Sequence, residues 1–379
     1  MAITRPCYCN RTEVQRAPDF KNGYVDNTRI DRALESAADR IDGQLHRVFY
    51  PRDTTYRFDW PNYQGTYPWQ LYLDNWDLQI LTDLESPFGT VIGLNQAIPY
   101  PLNRKPGFPI RRIQLDRGTS ASFGSASSPQ ASIWATGTWG FTADMDNVAT
   151  LAANVSSASA TSVTLSDGSQ CGPGDVLILN PGTGAVPFSQ AQYAHTFGAF
   201  APLTGERVIV QDVAAAATGL TQTGAGCTTA SEADNQLATT GAGTLVVGEV
   251  VVLDAERMLI TQIVAGVATV IRGWDSTVLA THSAATVNAL RAFTVLRGQL
   301  GTTAATYTAG QTVARHRPPQ LIRDLNIAEA VNQVLQETAG YARTVGSPDM
   351  AVAAPGVALA DLWDEAVTTF GRKARQRVV

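Results

Sequence analysis

Between residues 28 and 49 apolar side chains recur every three or four positions: Ile30, Leu34, Ala37, Ile41, Leu45 and Phe49. That period lays them in one stripe along an α-helix, with Arg29, Arg32, Glu35, Asp39, Arg40 and Asp42 on the opposite face. Thr28 stands where a helix is capped, Asp31 lies three residues on at the acidic position of a capping box, and Pro51 ends the segment. From Tyr56 the period shortens. Arg57-Phe58-Asp59-Trp60, Gln70-Leu71-Tyr72-Leu73-Asp74, Leu78-Gln79-Ile80-Leu81, residues 110–115 and residues 133–140 predict short strands, separated by turns such as Pro61-Asn62 and Pro106-Gly107.

Near residue 145 the chain changes character. Residues 118–205 contain no Lys or Arg and are dominated by Ala, Ser, Thr and Gly. Apolar runs persist in Ser162-Val163-Thr164-Leu165, Asp175-Val176-Leu177-Ile178-Leu179 and Arg207-Val208-Ile209-Val210, so the stretch reads as a β domain with small-residue loops. Its grammar repeats. Gly174-Asp175-Val176-Leu177-Ile178-Leu179 followed by Glu206-Arg207-Val208-Ile209-Val210 is echoed by Gly248-Glu249-Val250-Val251-Val252-Leu253 followed by Glu256-Arg257-Met258-Leu259-Ile260. Val270-Ile271-Arg272-Gly273, Thr277 and residues 284–287 match Val295-Leu296-Arg297-Gly298, Thr302 and residues 309–313 with a one-residue gap. Two copies are too few for a solenoid and predict small duplicated β units. After Pro318-Pro319 helical stripes return in Leu321, Leu325, Ala328, Val331, Leu335 and Thr338, then in Leu359, Leu362, Ala366, Val367 and Phe370.

This order predicts an α+β fold: a helical core from N- and C-terminal helices, with a β-strand region and a large inserted β domain. The corresponding boundaries are 1–145 for an N-terminal core of helix plus short strands, 146–316 for a β-rich insertion with internal repeats, and 317–379 for C-terminal helices and a basic tail completing the core.

Composition sharpens the functional classes. The 379 residues carry a net charge of −5, so the chain as a whole has no field to attract nucleic acid. Charged residues make up 16%, below the usual quarter, which suits β-rich surfaces and large protein contacts. No apolar run has membrane-spanning length, and the N-terminus has no apolar signal core, so synthesis in the cytoplasm is expected. Cys7, Cys9, Cys171 and Cys227 read as reduced structural thiols, because Cys7-x-Cys9 is too close for a metal knuckle and no second pair has ligand spacing.

The phosphate-loop, His-Glu-x-x-His and Gly-x-Ser-x-Gly patterns are all missing from the sequence. His46, His195, His282 and His316 are scattered singly, and His282 falls where the other repeat has Tyr307. Asp144 and Asp146 read as turn acids at a domain junction, and Asp361, Asp364 and Glu365 as acids favouring the start of a helix. No catalytic residue, metal site or cofactor is expected, and the chain reads as a non-enzyme. Two features suggest binding. Arg372, Lys373, Arg375 and Arg377 either complement the last helix's dipole or dock on a partner, with contact to DNA a further option. The aromatic belt Tyr56, Phe58, Trp60, Tyr63, Tyr67, Trp69, Tyr72 and Trp76 either fills a β core, anchors a subunit interface, or binds sugars or single strands.

Several segments together resemble a known family. Residues 9–14, residues 29–43 and His46-Arg47-Val48-Phe49-Tyr50-Pro51 resemble the opening of head-to-tail adaptor (connector) proteins of actinobacterial long-tailed (siphovirus-type) bacteriophages, and residues 57–61 and 136–141 extend the likeness. Glu256-Arg257-Met258 with Arg272-Gly273-Trp274-Asp275 and His282 resembles a small β module of phage structural proteins. The resemblance covers residues 5–145 and 318–379 well and the β insertion loosely. It implies a mainly helical core with a β extension and a dodecameric ring between the portal protein and a head-closure (stopper) or tail-terminator protein. A central channel for DNA passage and a place in the virion neck come with it. It further implies that the C-terminal segment, with Arg372, Lys373, Arg375 and Arg377, engages the portal. Trp60, Tyr67, Trp69, Trp76 and Trp139 are the expected subunit-interface residues. The competing reading is a tail or baseplate protein recognising a cell-surface glycan; a wall-degrading hydrolase would need paired carboxylates or a metal cluster in one cleft.

Overall fold

The computed structural model describes residues 2–17, 26–61, 67–73, 75–102, 108–125, 127–182, 196–199, 203–223, 226–338, 344–345, 352–353 and 357–372. Its helices are α1 (Arg11–Gln15), α2 (Asn27–Leu45), α3 (Gln320–Thr338) and α4 (Val357–Phe370). The stripe expected from residue 28 forms α2 and is buried, but the cap is Asp26, whose carboxylate accepts from the Thr28 amide, and the helix stops at His46 in the left-handed region. Phe49 is buried beyond its end. The short α1 starts from a capping box in which Asn10 accepts from the Glu13 amide and the Glu13 carboxylate accepts from the Asn10 amide.

Two three-stranded sheets follow. One has the order β1 (Arg52–Phe58), β6 (Ile133–Trp139), β3 (Leu78–Glu85); the other has β2 (Gln70–Tyr72), β5 (Arg112–Leu115), β4 (Ala97–Tyr100). All their pairings are antiparallel, and they share a core of Phe58, Leu71, Leu81, Ile113, Ile133 and Trp139.

The remaining long strands join one ten-stranded antiparallel sheet in the order β7 (Met145–Thr150), β16 (Thr312–His316), β9 (Val176–Leu179), β10 (Glu206–Gln222), β11 (Gln236–Gly241), β14 (Val267–Ile271), β13 (Glu256–Val264), β12 (Val250–Leu253), β15 (Thr286–Gln299), β8 (Ser162–Thr164). A further pairing of β10 with β15 closes the far half into a six-stranded barrel, β10-β11-β14-β13-β12-β15. The near half, β7, β8, β9, the start of β10, the end of β15 and β16, closes through a bridge between Leu151 and Leu165. Each barrel has its own apolar interior, one built on Val148, Leu177, Val208, Phe293 and Val313, the other on Leu237, Val251, Met258, Ile260 and Val287. Closure removes sheet edges that would otherwise pair with other chains.

The two barrels are copies. Leu179 faces Val313 and Glu206 in the first; Leu253 faces Val287 and Glu256 in the second. Ile209 faces Leu296 as Leu259 faces Ile271, and Phe293 faces Val163 as Ala268 faces Leu237. The copies are nested rather than consecutive: where the second barrel has the short hairpin between β13 and β14, the first has the long strands β10 and β15, and the whole second barrel hangs from their far ends.

The expected helical core with an inserted β domain is therefore overturned, together with the mainly helical core that the resemblance implied. Strand accounts for 36% of the structure and helix for 20%, and the described residues hold only four α-helices. Helices α2, α3 and α4 do meet, around Ala38, Ile41, Ile322, Leu325, Trp363, Ala366 and Phe370. However, Ile30, Leu34 and Val331 pack against Ile209 of the first barrel as well. A helical stripe reports that one face is buried but not what buries it. Here the partner is partly a β wall, and the two closed interiors belong to strands. The two-residue strands β17 (Thr344–Val345) and β18 (Val352–Ala353) pair with each other.

Candidate assembly interface

Each barrel is locked at its mouth by a buried ionic clasp built from the repeated Glu-Arg and Arg-Gly pairs. In the nested barrel the Glu256 carboxylate accepts from Arg272 Nε at 2.9 Å and Nη2 at 2.6 Å, from the Gly273 and Ala280 amides at 3.1 and 2.9 Å, and faces His282 Nε2 at 2.9 Å. In the first barrel Glu206 accepts from Arg297 Nε and Nη2 at 2.6 Å each and from the Gly298 and Ala305 amides at 2.8 and 3.2 Å. Even the turn is reproduced, the Thr277 and Thr302 hydroxyls each accepting from an arginine amide, Arg257 and Arg207, at 2.9 Å. Bidentate guanidinium–carboxylate pairs of this kind combine strength with fixed geometry. Against the opposing effect of burial, Arg272, the backbone amides and His282 hold the Glu256 carboxyl down at about 2. His282 and Tyr307 occupy equivalent places, and burial with the Glu206 carboxylate pushes the Tyr307 hydroxyl up to about 12. His282 is thus a structural member of a clasp, its Nδ1 lying 2.8 Å from Asp254.

The other histidines are also placed. His46 terminates α2. His316 is buried with its ring nitrogens 2.8 Å from the Phe49 carbonyl and 3.1 Å from that of Asp144, and burial drives the imidazole down to about 4. His195 lies outside the described residues. Asp146 pairs with Arg317, while Asp361, Asp364 and Glu365 lie exposed on α4. All four cysteines are buried free thiols, and among the described residues no group of His, Cys, Asp and Glu is arranged to hold a metal ion. No described helix is long and apolar enough to cross a membrane.

The expected interface aromatics divide. Trp60 and Trp139 are buried in the core of the small sheets, the Trp139 indole donating to the Thr54 carbonyl. Tyr67 and Trp76 remain at the surface, Tyr67 half exposed at 50%, whereas Trp69 is half-buried against that same core. On the core side of the sheet Trp76 stacks on Tyr56 at 3.8 Å between ring centroids, and Arg117 lies over Trp69 at 4.4 Å; on the opposite side of the same sheet Phe88 stacks on Trp134 at 4.1 Å with Arg57 on that ring. Phe88 is 56% exposed and Val91 is more so. Sequence reasoning passed over Phe88, Val91, Arg57 and Arg117. The available signal was Ser86-Pro87-Phe88-Gly89, a large aromatic at a turn where small polar residues are usual. Rings with guanidinium groups on them are the composition of protein interfaces.

The basic C-terminus is represented by Arg372 alone; Lys373, Arg375 and Arg377 lie outside the described residues. Arg372 turns inward, its Nη2 2.9 Å from Asp77 and its Nε donating to the His46 carbonyl at 2.8 Å. Arg47 lies 3.7 Å from the same carboxylate. Burial raises the Asp77 carboxyl and lowers the Arg47 guanidinium to about 10. This triad ties the end of α4 to the first small sheet, so Arg372 is an internal tether. No family model matches this chain, and no curated protein or solved structure matches it either.

Proposed function

We propose that this protein is a non-enzymatic virion component, a head-to-tail adaptor that forms a ring between portal and head-closure or tail proteins in the neck of a long-tailed bacteriophage. The observation that carries this reading is where the family-like segments lie. Although scattered over 140 residues, they adjoin one another: Arg11 clamps Asp31 of α2 through two 2.7 Å bonds, and the strand ending in Arg57-Phe58 pairs along its length with the strand carrying Thr136-Gly137-Thr138-Trp139. Tyr8, Ile41, Phe49 and Phe141 pack in one cluster between these two pairs, so residues that resemble an adaptor form one contiguous body. The fold correction narrows the reading, which rests on these segments and not on a helical core.

On this account subunits tile around an axis and leave a channel for DNA, with twelve copies as the resemblance implies. The three cations beyond Arg372, rather than Arg372 itself, reach the portal. Co-sedimentation of the purified chain with the portal ring of the same virion tests it. Stoichiometric binding that Lys373→Glu, Arg375→Glu and Arg377→Glu together abolish is the expected result. An absence of binding, combined with adsorption of the chain to host cells, favours the glycan-recognising tail protein instead.

A further inference from the structure

The two barrels share β10 and β15, and between the barrels β10 has a partner on one side only. As far as Val210 it bonds on its other side to β9 and to Gly174 and Asp175 before it; from Leu220 onward it pairs there with β11. Over residues 212–217 its ladder runs to β15 alone, and among the described residues no backbone hydrogen bond reaches the opposite edge. Successive strand residues turn their N–H and C=O groups to opposite sides, so every second residue of this run aims both groups away from β15. Native edges are ordinarily guarded by a charge, a proline or a bulge. Residues 213–217 are Val-Ala-Ala-Ala-Ala, with no charge and no proline, and Ala214, Ala215 and Ala217 are exposed. The extra residues of β10, Gln211 on one side and Thr218 with Gly219 on the other, flank the run and leave it straight, while the bulge between them belongs to Arg291 of β15. Both ends are stopped: Arg11 donates to the Gln211 carbonyl and pairs with Asp212, and a Cβ on Gly243 would lie 1.9 Å from the Thr218 carbonyl oxygen. What remains is a slot about 20 Å long, at roughly 3.4 Å per residue.

We infer that this edge of β10 is a strand-addition site, which takes an extended segment of a partner protein as a further strand. The unpaired groups themselves specify the occupant, because donors and acceptors alternating at strand spacing are matched by an extended polypeptide backbone. The alanines add the side-chain requirement. Ala214 and Ala216 lie on one face of the strand, Ala215 and Ala217 on the other, and a methyl group leaves the space beside it open on both. An incoming strand can therefore set β-branched or aromatic side chains over them, as β15 already sets Leu290 opposite Ala215. Asp212, the charged residue of the run, is occupied by Arg11, so nothing there selects an ionic partner. A second copy offering the same edge would bring only methyl groups to meet methyl groups, which favours a different protein with larger side chains. The inference goes beyond the adaptor reading and does not depend on it.

The experiment uses the full chain and a neutral heptapeptide, capped at both ends, that alternates threonine and valine around a central phenylalanine. Alternate residues of the peptide are N-methylated, which blocks one of its edges, prevents it from stacking on itself and leaves the other edge able to pair. A control peptide of the same sequence is N-methylated at consecutive residues and can pair on neither edge. Hydrogen exchange of residues 212–217 is followed at millimolar peptide. The first peptide should slow every second amide of the run about tenfold or more, the equivalent of some 1.4 kcal/mol of added protection, and the control should slow none. Unchanged exchange over residues 212–217, slowing confined to other strands, faster exchange in β15 that marks its displacement, or equal slowing by the control overturns the inference. Because recognition is ascribed to the backbone, a failure of this neutral sequence counts against the site itself. Portal binding is measured separately, so the adaptor reading keeps its own test.

Discussion

Single residues in the clasps carry disproportionate weight. Removing one partner of a buried ion pair strands the other in a low-dielectric site and typically costs about 3–5 kcal/mol. Glu256→Ala should incur a loss of that size by urea denaturation, and Arg272→Lys should recover only part of the wild-type stability relative to Arg272→Ala, because an ammonium cannot reproduce the two-pronged contact. His316 carries the opposite kind of burial, an imidazole kept neutral. In the unfolded chain it binds a proton near its ordinary 6.5, but in the folded chain only at about 4. Its contribution is therefore present above pH 6.5 and lost as pH falls from 6.5 to 4, a loss on the order of 3 kcal/mol. Asp42, pushed up to about 7, and Asp175, pushed up to about 6, act with the reverse sign, since burial makes their folded forms hold protons that the unfolded chain releases. Denaturation of wild type and His316→Gln across pH 4 to 7 separates these terms, with the variant expected to lose less stability on acidification.

At the level of elements, α4 is held by one aromatic and one ionic contact set. Trp363 packs into the helical layer, donates to Glu329 and lies under Arg40; Phe370 meets Phe49 and Phe141; Arg372 closes the end on Asp77. Trp363→Ala should release this helix selectively, and hydrogen exchange should show lost protection over residues 357–370 while β9 and β16 keep theirs. Elements were also where the sequence spoke most clearly. The stripe from Ile30 to Leu45 and the Glu-Arg and Arg-Gly echoes were visible because helices and barrels bury side chains at fixed spacings. The nesting was not visible: a strand's period says nothing of its partner, and β10 and β15 each serve two barrels within one uninterrupted run. The clasps were half legible, since Glu256 and Arg272 stood out as repeated residues, yet only the closed sheet brings their side chains together. Trp60 could not be told from Tyr67 and Trp76 by spacing, because all three lie in the connections between strands, where no period of two applies. Arg372 read as a free cation because its partner, Asp77, lies 295 residues away.

For the whole molecule, the arrangement is a series of supports: a helical layer bracing the first barrel, small sheets seated on its loop at Gly301, and a second barrel extending from the far ends of β10 and β15. Among the described residues, the outer wall of the first barrel is covered by the rest of the chain more completely than that of the second. The family-like segments gathered in one body support the proposed part made to assemble. A neck component must occupy one place in the particle. Labelling intact virions with an antibody against this chain, viewed by electron microscopy, tests that most directly. The account predicts label only at the junction of head and tail; label at the tail tip, or none on the particle, would contradict it.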